Sequence, residues 1–366
     1  MKQNCAMIKQ LKNSYCCIGL MSGTSLDGLD MVLCQLNQNE NKWTYTFLKT
    51  QSHAYSKYWK ESLRSAYHLG GHDLLKLHRA YGIWLAERVL KFISDTDARP
   101  TLIASHGHTI FHEPEKMLNF QLGDGAVIAA KTGITTISDF RTLDICLNGQ
   151  GAPLVPIGDQ LLFDNYSACV NLGGFANVSC QIDGARKAWD ICPVNYIINQ
   201  LMQRLGKEMD YNGEFGKTGS IIKDLLDRLQ ILPYYKQSAP KSLAQEWVDR
   251  EFMPLLHKFK NYPLQDLIRT CYEHYAEIIS HDLNSTPIGD VLFSGGGVYN
   301  KFLMELIQQK TNHQIVIPDD QLIEFKEALV FSLLGTLRLS NQINCLSSVT
   351  GADYNCSSGV IHWGRK

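Results

Sequence analysis

The chain has 366 residues, too long for one comfortable core and suited to two lobes. Hydrophobic residues make up 45% and charged residues 19%, the balance of an ordinary globular protein. The net charge of -1 gives no reason to expect a nucleic-acid or anionic-membrane partner, and no apolar run is long enough to span a bilayer.

Residues 1–15 read as a loosely packed lead-in without the apolar stretch of a signal peptide, so cytoplasmic location is the default expectation. Two apolar runs, Cys17–Met21 and Leu29–Leu36, flank a polar turn and read as strand, turn, strand. Trp43–Thr50 alternates in part and adds a third strand, giving an antiparallel meander. From His72 to Ser94 the apolar residues Leu74, Leu77, Tyr81, Trp84, Leu85, Val89 and Phe92 recur at helical spacing. Leu102–Ala104 is a short buried strand, Phe120–Asp124 a strand and turn, Ala126–Thr132 a short helix, and Thr135–Ser138 another strand. The Gly- and Pro-rich stretch Gly149–Pro156 marks a hinge or lobe boundary.

The second half reopens like the first. Ser167–Leu172, a glycine turn and Val178–Ile182 again read as strand, turn, strand, about 150 residues after the first hairpin. This repetition predicts a duplicated architecture. Helices are expected at Leu264–Leu283, Asn300–Gln309 and Ile323–Leu339, with a strand at Asp290–Phe293. The 11 cysteines are scattered, odd in number and without a CxxC pair, so neither a disulfide frame nor a zinc site is expected. His108 and His112 have helical metal-ligand spacing, but Pro114 follows closely and HExxH is absent, so they read as polar loop residues.

Three glycine-containing loops carry candidate chemistry. The first turn holds Gly23, Thr24, Ser25, Leu26, Asp27, Gly28, Leu29 and Asp30. A glycine lets backbone approach a bulky ligand, successive N–H groups cradle an anion, and Asp27 can hold a metal ion through water. An ordinary polar hairpin uses the same residues. The second loop is Gly173, Gly174 and Asn177, where both glycines can turn with positive φ. The third is Gly295, Gly296 and Gly297 before Asn300, a strand end whose glycines admit a flat ligand and whose following helix N-terminus favours phosphate. None fits the P-loop pattern. Asp190 lies at the end of a strand-like run before Pro193 and is the best candidate base; its plain reading is a helix cap. Arg141 suits a carboxylate ligand, with Asp139 and Asp144 as structural alternatives for its partner.

The string GTSLDGLD resembles the first phosphate hairpin of the anhydro-N-acetylmuramic acid kinases, members of the sugar kinase, Hsp70 and actin superfamily. Asn171–Ser179 resembles their NxGGxAN motif, His106–Thr109 their HGQT with His108 for glutamine, and Asp139–Arg141 their DFR. The family's DTGPGN is DICPVN here, with both glycines replaced and the loop reshaped accordingly; Asp210–Gly219 is similar to their next segment, a loop over the sugar. Phe293–Asn300, Glu327–Leu329 and Val349–Ala352 resemble the later motifs. The resemblance implies two RNase H-like (actin-like ATPase) lobes with a nucleotide cleft between them, residues 1–139 plus about 345–366 forming one and 140–344 the other. It implies ATP and Mg2+ as cofactors, Asp190 as catalytic base, and Asp27 near the metal. The first two glycine loops would hold the phosphates, and Gly295, Gly296, Gly297 and Asn300 the nucleoside. His106, Arg141 and Glu327 would meet a small acidic amino sugar. It further implies a homodimer and a kinase that opens 1,6-anhydro-N-acetylmuramic acid and phosphorylates it during peptidoglycan recycling. A kinase of another sugar without ring opening, or a non-catalytic nucleotide-binding regulator, are the alternative readings.

Overall fold

A computed structural model describes residues 13–23, 26–40, 42–239 and 241–365. The lead-in expected over residues 1–15 falls mostly outside them. The chain divides into two compact units: residues up to Leu162 with those from Phe325 onward, and Phe163–Glu324.

The first unit is built on β1 (Ser14–Met21), β2 (Gly28–Asn39) and β3 (Lys42–Ala54), an antiparallel meander. β4 (Leu102–Ser105) and β7 (Thr135–Ser138) extend it in parallel on the β1 side. β13 (Val360–His362) closes that edge antiparallel to β7, giving the order β13-β7-β4-β1-β2-β3. A separate hairpin, β5 (His108–Glu113) and β6 (Leu118–Leu122), stands beside it. The sequence pattern predicted neither β5 nor β13. Two helices, α1 (Lys57–Ser65) and α2 (Gly71–Ile93), supply Trp59, Leu63, Tyr81, Leu85, Val89 and Phe92 to the core against Ile18, Leu20, Leu29 and Ile103. No side chain caps α2 at Gly70. Packing holds it instead: each such side chain buried contributes about 1.5–3 kcal/mol, more than a cap's roughly 1 kcal/mol.

The unit's other helices are α3 (Gly125–Thr132), α4 (Thr142–Cys146), α5 (Pro156–Leu162) and the later turns of a long helix, Asp320–Leu339. The boundaries explain the difference from the expected joints at 139/140 and 344/345. The glycine-rich stretch runs into α5, and Asp159 on α5 forms a buried ion pair with Lys326 at 2.7 Å. Gly19 on β1 admits the long helix: a Cβ there would lie 1.9 Å from the Ala328 carbonyl oxygen. These contacts fix residues 140–162 and 325–344 in the first unit.

The second unit repeats the plan. β8 (Ala168–Leu172), β9 (Phe175–Ile182) and β10 (Ala185–Pro193) form the meander. β11 (Asp290–Ser294) and β12 (Gln314–Val316) extend it in parallel, order β10-β9-β8-β11-β12. Its core joins Val170, Val178, Ile191 and Phe293 to α6 (Asn195–Gln203), α7 (Lys223–Gln230), α8 (Leu264–Asn284) and α9 (Lys301–Lys310). Three antiparallel strands followed by two parallel ones is the RNase H-like arrangement, present in both units. The long helix is numbered α10. No helix among the described residues is long and apolar enough to cross a membrane.

Candidate active site

In the first unit the turn between β1 and β2 carries the first glycine loop. Thr24 and Ser25 lie outside the described residues. Gly23 and Leu26 flank them, and Leu26 adopts a left-handed φ of 60°. Asp27 is exposed, and its carbonyl accepts the Tyr55 N–H at 3.2 Å. Gly28 begins β2. The Leu29 side chain is in the core, so this residue offers a ligand only its main chain. Asp30 accepts a hydrogen bond from the Ser52 hydroxyl.

A chain of buried polar groups stands behind the turn, and sequence patterns gave no sign of it. Ser22 Oγ lies 3.1 Å from His108 Nδ1 and 2.6 Å from Tyr55 Oη, which meets Tyr81 Oη in turn. Burial pulls His108 down to about 4, so its ring is neutral at neutral pH. His108 lies on a strand and is held by Ser22; it does not form a helical metal pair with His112.

Arg141 makes neither expected ion pair. Asp139 caps α4 through Thr142, and Asp144 turns to Gly151 N, Thr350 and Cys345. The guanidinium instead reaches His106 Nε2 from Nη2 at 2.8 Å and the Gly151 carbonyl from Nη1 at 2.7 Å. His106 is therefore an acceptor at Nε2. Burial, then Arg141, holds its pKa well below the usual range. Arg141 is drawn down to about 10 by burial, opposed by Glu327, and stays charged. Glu327 sits on α10 next to Ala328, the residue against Gly19. Desolvation by the surrounding groups raises its carboxyl, Arg141 and Lys326 oppose the shift, and Asp30 adds to it. The structure thus brings Asp30, Arg141, His106 and Glu327 into one electrostatic group. His106 also lines a cavity of about 200 Å3 with Gln121, Asp124, Ser138, Asp139 and His362. That is below the ~300–1,000 Å3 of a small-molecule pocket, so it holds at most part of one ligand.

In the second unit Asp190 lies within β10, opposite Asn177, at a bulge between Asp190 and Cys192. It caps no helix: α6 begins at Asn195 after Val194. The main chain of Asp190 is fixed on both sides, its N–H on the Lys241 carbonyl at 3.0 Å and its carbonyl on the Tyr234 hydroxyl at 2.6 Å. Its Oδ2 accepts the Leu243 N–H at 2.8 Å and the Ser242 hydroxyl at 3.3 Å. Burial raises the carboxyl, and these two donors restrain the rise. The holding segment is itself anchored, since Lys241 lies 3.9 Å from Asp282, which accepts Trp189 Nε1–H at 2.8 Å. Segment 241–243 works largely through its main chain, so no side-chain motif announces it. The residues that depart from DTGPGN, Ile191, Cys192 and Val194, fill the core.

One expectation about the glycine loops is corrected. Neither Gly173 nor Gly174 has positive φ. Their carbonyls accept N–H groups from Val194, Asn195 and Tyr196, which sews the turn to the start of α6. At the N-terminus of α9, Asn300 Oδ1 accepts the Leu303 N–H at 3.0 Å and caps the helix. Of the three glycines, Gly295 has φ 82°, and a Cβ on Gly297 would lie 2.8 Å from the Leu172 carbonyl oxygen. Gly296 faces open space. Asp210, expected in a loop over the sugar, is a structural knot: it binds Phe215 N–H and Gly216 N–H, each at 2.9 Å, and the Tyr272 hydroxyl.

Two RNase H-like units, each with a glycine turn after its first strand and one with a fixed, partly buried carboxylate, make up the two-lobed actin-like ATPase fold. A family model described as anhydro-N-acetylmuramic acid kinase matches residues 15–364. The kinase of that name from Francisella tularensis subsp. novicida is 32% identical, over 95% of this chain and 98% of its own. Its namesake from Clostridioides difficile is 34% identical, over 94% and 97%. The chain belongs to the anhydro-N-acetylmuramic acid kinase family, and is a phosphotransferase with an alcohol group as acceptor.

Proposed function

We propose that the chain uses ATP to convert 1,6-anhydro-N-acetylmuramic acid into N-acetylmuramic acid 6-phosphate, with hydrolytic opening of the anhydro bond, as a step in peptidoglycan recycling. The observation that carries this reading is the setting of Asp190. A kinase needs only to deprotonate an alcohol; ring opening needs a base that activates water. Both donors to the Asp190 carboxylate fall on Oδ2, which leaves Oδ1 for a water proton. Burial raises the carboxyl, the direction a base needs, and the two donors oppose the rise.

In this scheme water attacks C1 as Asp190 takes its proton. The C1–O6 bond breaks, O6 accepts the γ-phosphoryl group, and ADP leaves. The main-chain N–H groups of the turn Gly23–Asp30 and of Gly173–Asn177 hold phosphate oxygens. Gly296, with its open face, is the point of closest approach for the nucleoside. Arg141 has five N–H donors and uses three within the protein, so one on each terminal nitrogen remains for the lactyl carboxylate of the sugar. Glu327 and His106 complete the sugar contacts. The exposed carboxylate of Asp27 fits Mg2+, a hard cation that keeps several waters. When bound, Mg2+ neutralises phosphate charge.

The test is turnover in oxygen-18 water with ATP and the anhydrosugar, followed by mass analysis. One label at C1 of a phosphorylated product is expected. A phosphorylated product that retains the anhydro ring, without label, overturns ring opening.

A further inference from the structure

We propose that Asp144, Cys345 and Cys356 form a buried site for one divalent, thiolate-preferring cation of the zinc class. The three side chains lie in the first unit, are buried, and place their donor atoms within 4.8 Å of one another. Spacing along the chain hides them, because Asp144 is about two hundred residues from the cysteines, and ten residues lie between Cys345 and Cys356 where CxxC has two.

The backbone sets the pair of sulfurs. Cys345 and Cys356 face each other across an isolated antiparallel bridge, and each N–H donates to the other's carbonyl at 3.1 Å. Directly opposed residues of an antiparallel pair project their side chains to the same side. Asp144, on α4, meets them there. Its Oδ1 accepts the Cys345 thiol at 3.0 Å and the Thr350 hydroxyl at 2.7 Å, and its Oδ2 accepts the Gly151 N–H at 2.8 Å. These partners are a thiol, a hydroxyl and a main-chain N–H, all neutral. A desolvated carboxylate is costly unless it is paired or bound to a cation.

The donor set selects the cation. Two sulfurs and one oxygen suit Zn2+, whereas Mg2+ and Ca2+ favour shells made wholly of oxygen. Binding replaces the two thiol protons: M2+ with two thiols and one carboxylate gives the bound cation and two released protons. The fourth tetrahedral position is left for a neutral oxygen. The Gly151 N–H on Oδ2 already orients the carboxylate, as outer contacts do around metal ligands. A disulfide between the cysteines would use the same sulfurs but would give the Asp144 carboxylate nothing. Gly151 also accepts Arg141 Nη1 through its carbonyl. A cation on Asp144 therefore stiffens the residue that orients Arg141.

The full-length protein, reduced and kept anaerobic, is titrated with Co2+ alone. Saturation at one equivalent is expected, with sulfur-to-cobalt charge-transfer absorption in the near ultraviolet and tetrahedral bands in the visible, all abolished by one equivalent of Zn2+. Cys345→Ser, Cys356→Ser and Asp144→Asn should each weaken binding by about tenfold or more. Cys146→Ser, at an exposed cysteine outside the cluster, should leave the spectrum intact. The proposal is overturned if the unaltered protein shows no thiolate–cobalt band, or if Cys146→Ser removes it. The unaltered protein alone decides this, even should a cluster variant fail to fold.

Discussion

The two units share a strand order yet hold their glycine turns by different means. In the second unit the Gly173–Gly174 turn is sewn to α6 by three main-chain N–H groups. In the first, the turn stands on side chains: Ser22, bonded to His108 and Tyr55, with Tyr81 behind. A main-chain stitch does not titrate and survives most substitutions. A buried side-chain chain depends on each member and on protonation. The same topology therefore gives one turn whose support is indifferent to pH and one whose support is not.

Asp190, the proposed base, sits beside the main-chain-held turn, opposite Asn177, and its replacement should have the largest effect. Asp190→Asn keeps the size and can still accept the Leu243 N–H, so the fold should hold while turnover falls by about 10²–10⁴. Steady-state kinetics with circular dichroism as the folding control checks this. Full turnover in the variant would leave the second unit without the chemistry proposed for it.

Sequence reading reached this far because regular elements and glycine turns leave local signals. The helix over His72–Ser94 and the meanders were legible from apolar spacing, and Asp190 as a candidate from its place before Pro193. What stayed hidden depends on residues distant in the chain. The clamp of Lys241, Ser242 and Leu243 on Asp190 is mostly main chain. The Ser22–His108–Tyr55–Tyr81 group joins residues that look like turn, strand and core taken singly. Asn300 was legible as a residue that matters but not as a helix cap, since a cap and a ligand contact use the same amide. The short strand β13 has too few residues to show any period.

The difference in how the turns are held can be sharpened by pH. His108 titrates near 6.5 when unfolded and near 4 in the folded protein. Below 6.5 the unfolded chain binds a proton that the folded one refuses, so stability is complete above that pH and is lost as pH falls toward 4. The loss is on the order of 3 kcal/mol at the acid end. His108→Gln retains an acceptor for Ser22 and does not titrate. Denaturant unfolding from pH 7 to 4 should show a shallower decline in the variant. Parallel curves for the two proteins would mean that the first turn does not depend on this ring.

The smallest effect on stability, and the finest test of a ligand-facing surface, comes from neighbours in the third loop. Gly295 has φ 82°, and a Cβ there would lie 2.4 Å from Asn171 Oδ1 and 2.9 Å from the Leu172 carbonyl oxygen. Gly295→Ala should cost about 1–3 kcal/mol through strain and contact. Gly296 has no such φ and nothing within 4 Å of the added carbon. Gly296→Ala should leave stability within about 0.5 kcal/mol, because it neither strains nor crowds the fold. If the loop exists only to turn the chain from β11 toward α9, the second substitution is silent in every assay. If its open face is where the nucleoside approaches, the methyl group raises the KM for ATP several-fold while the KM for the sugar stays put. A selective change at an unstrained, uncrowded glycine has no explanation in the fold itself, so this split between the two Michaelis constants separates a ligand surface from a simple bend.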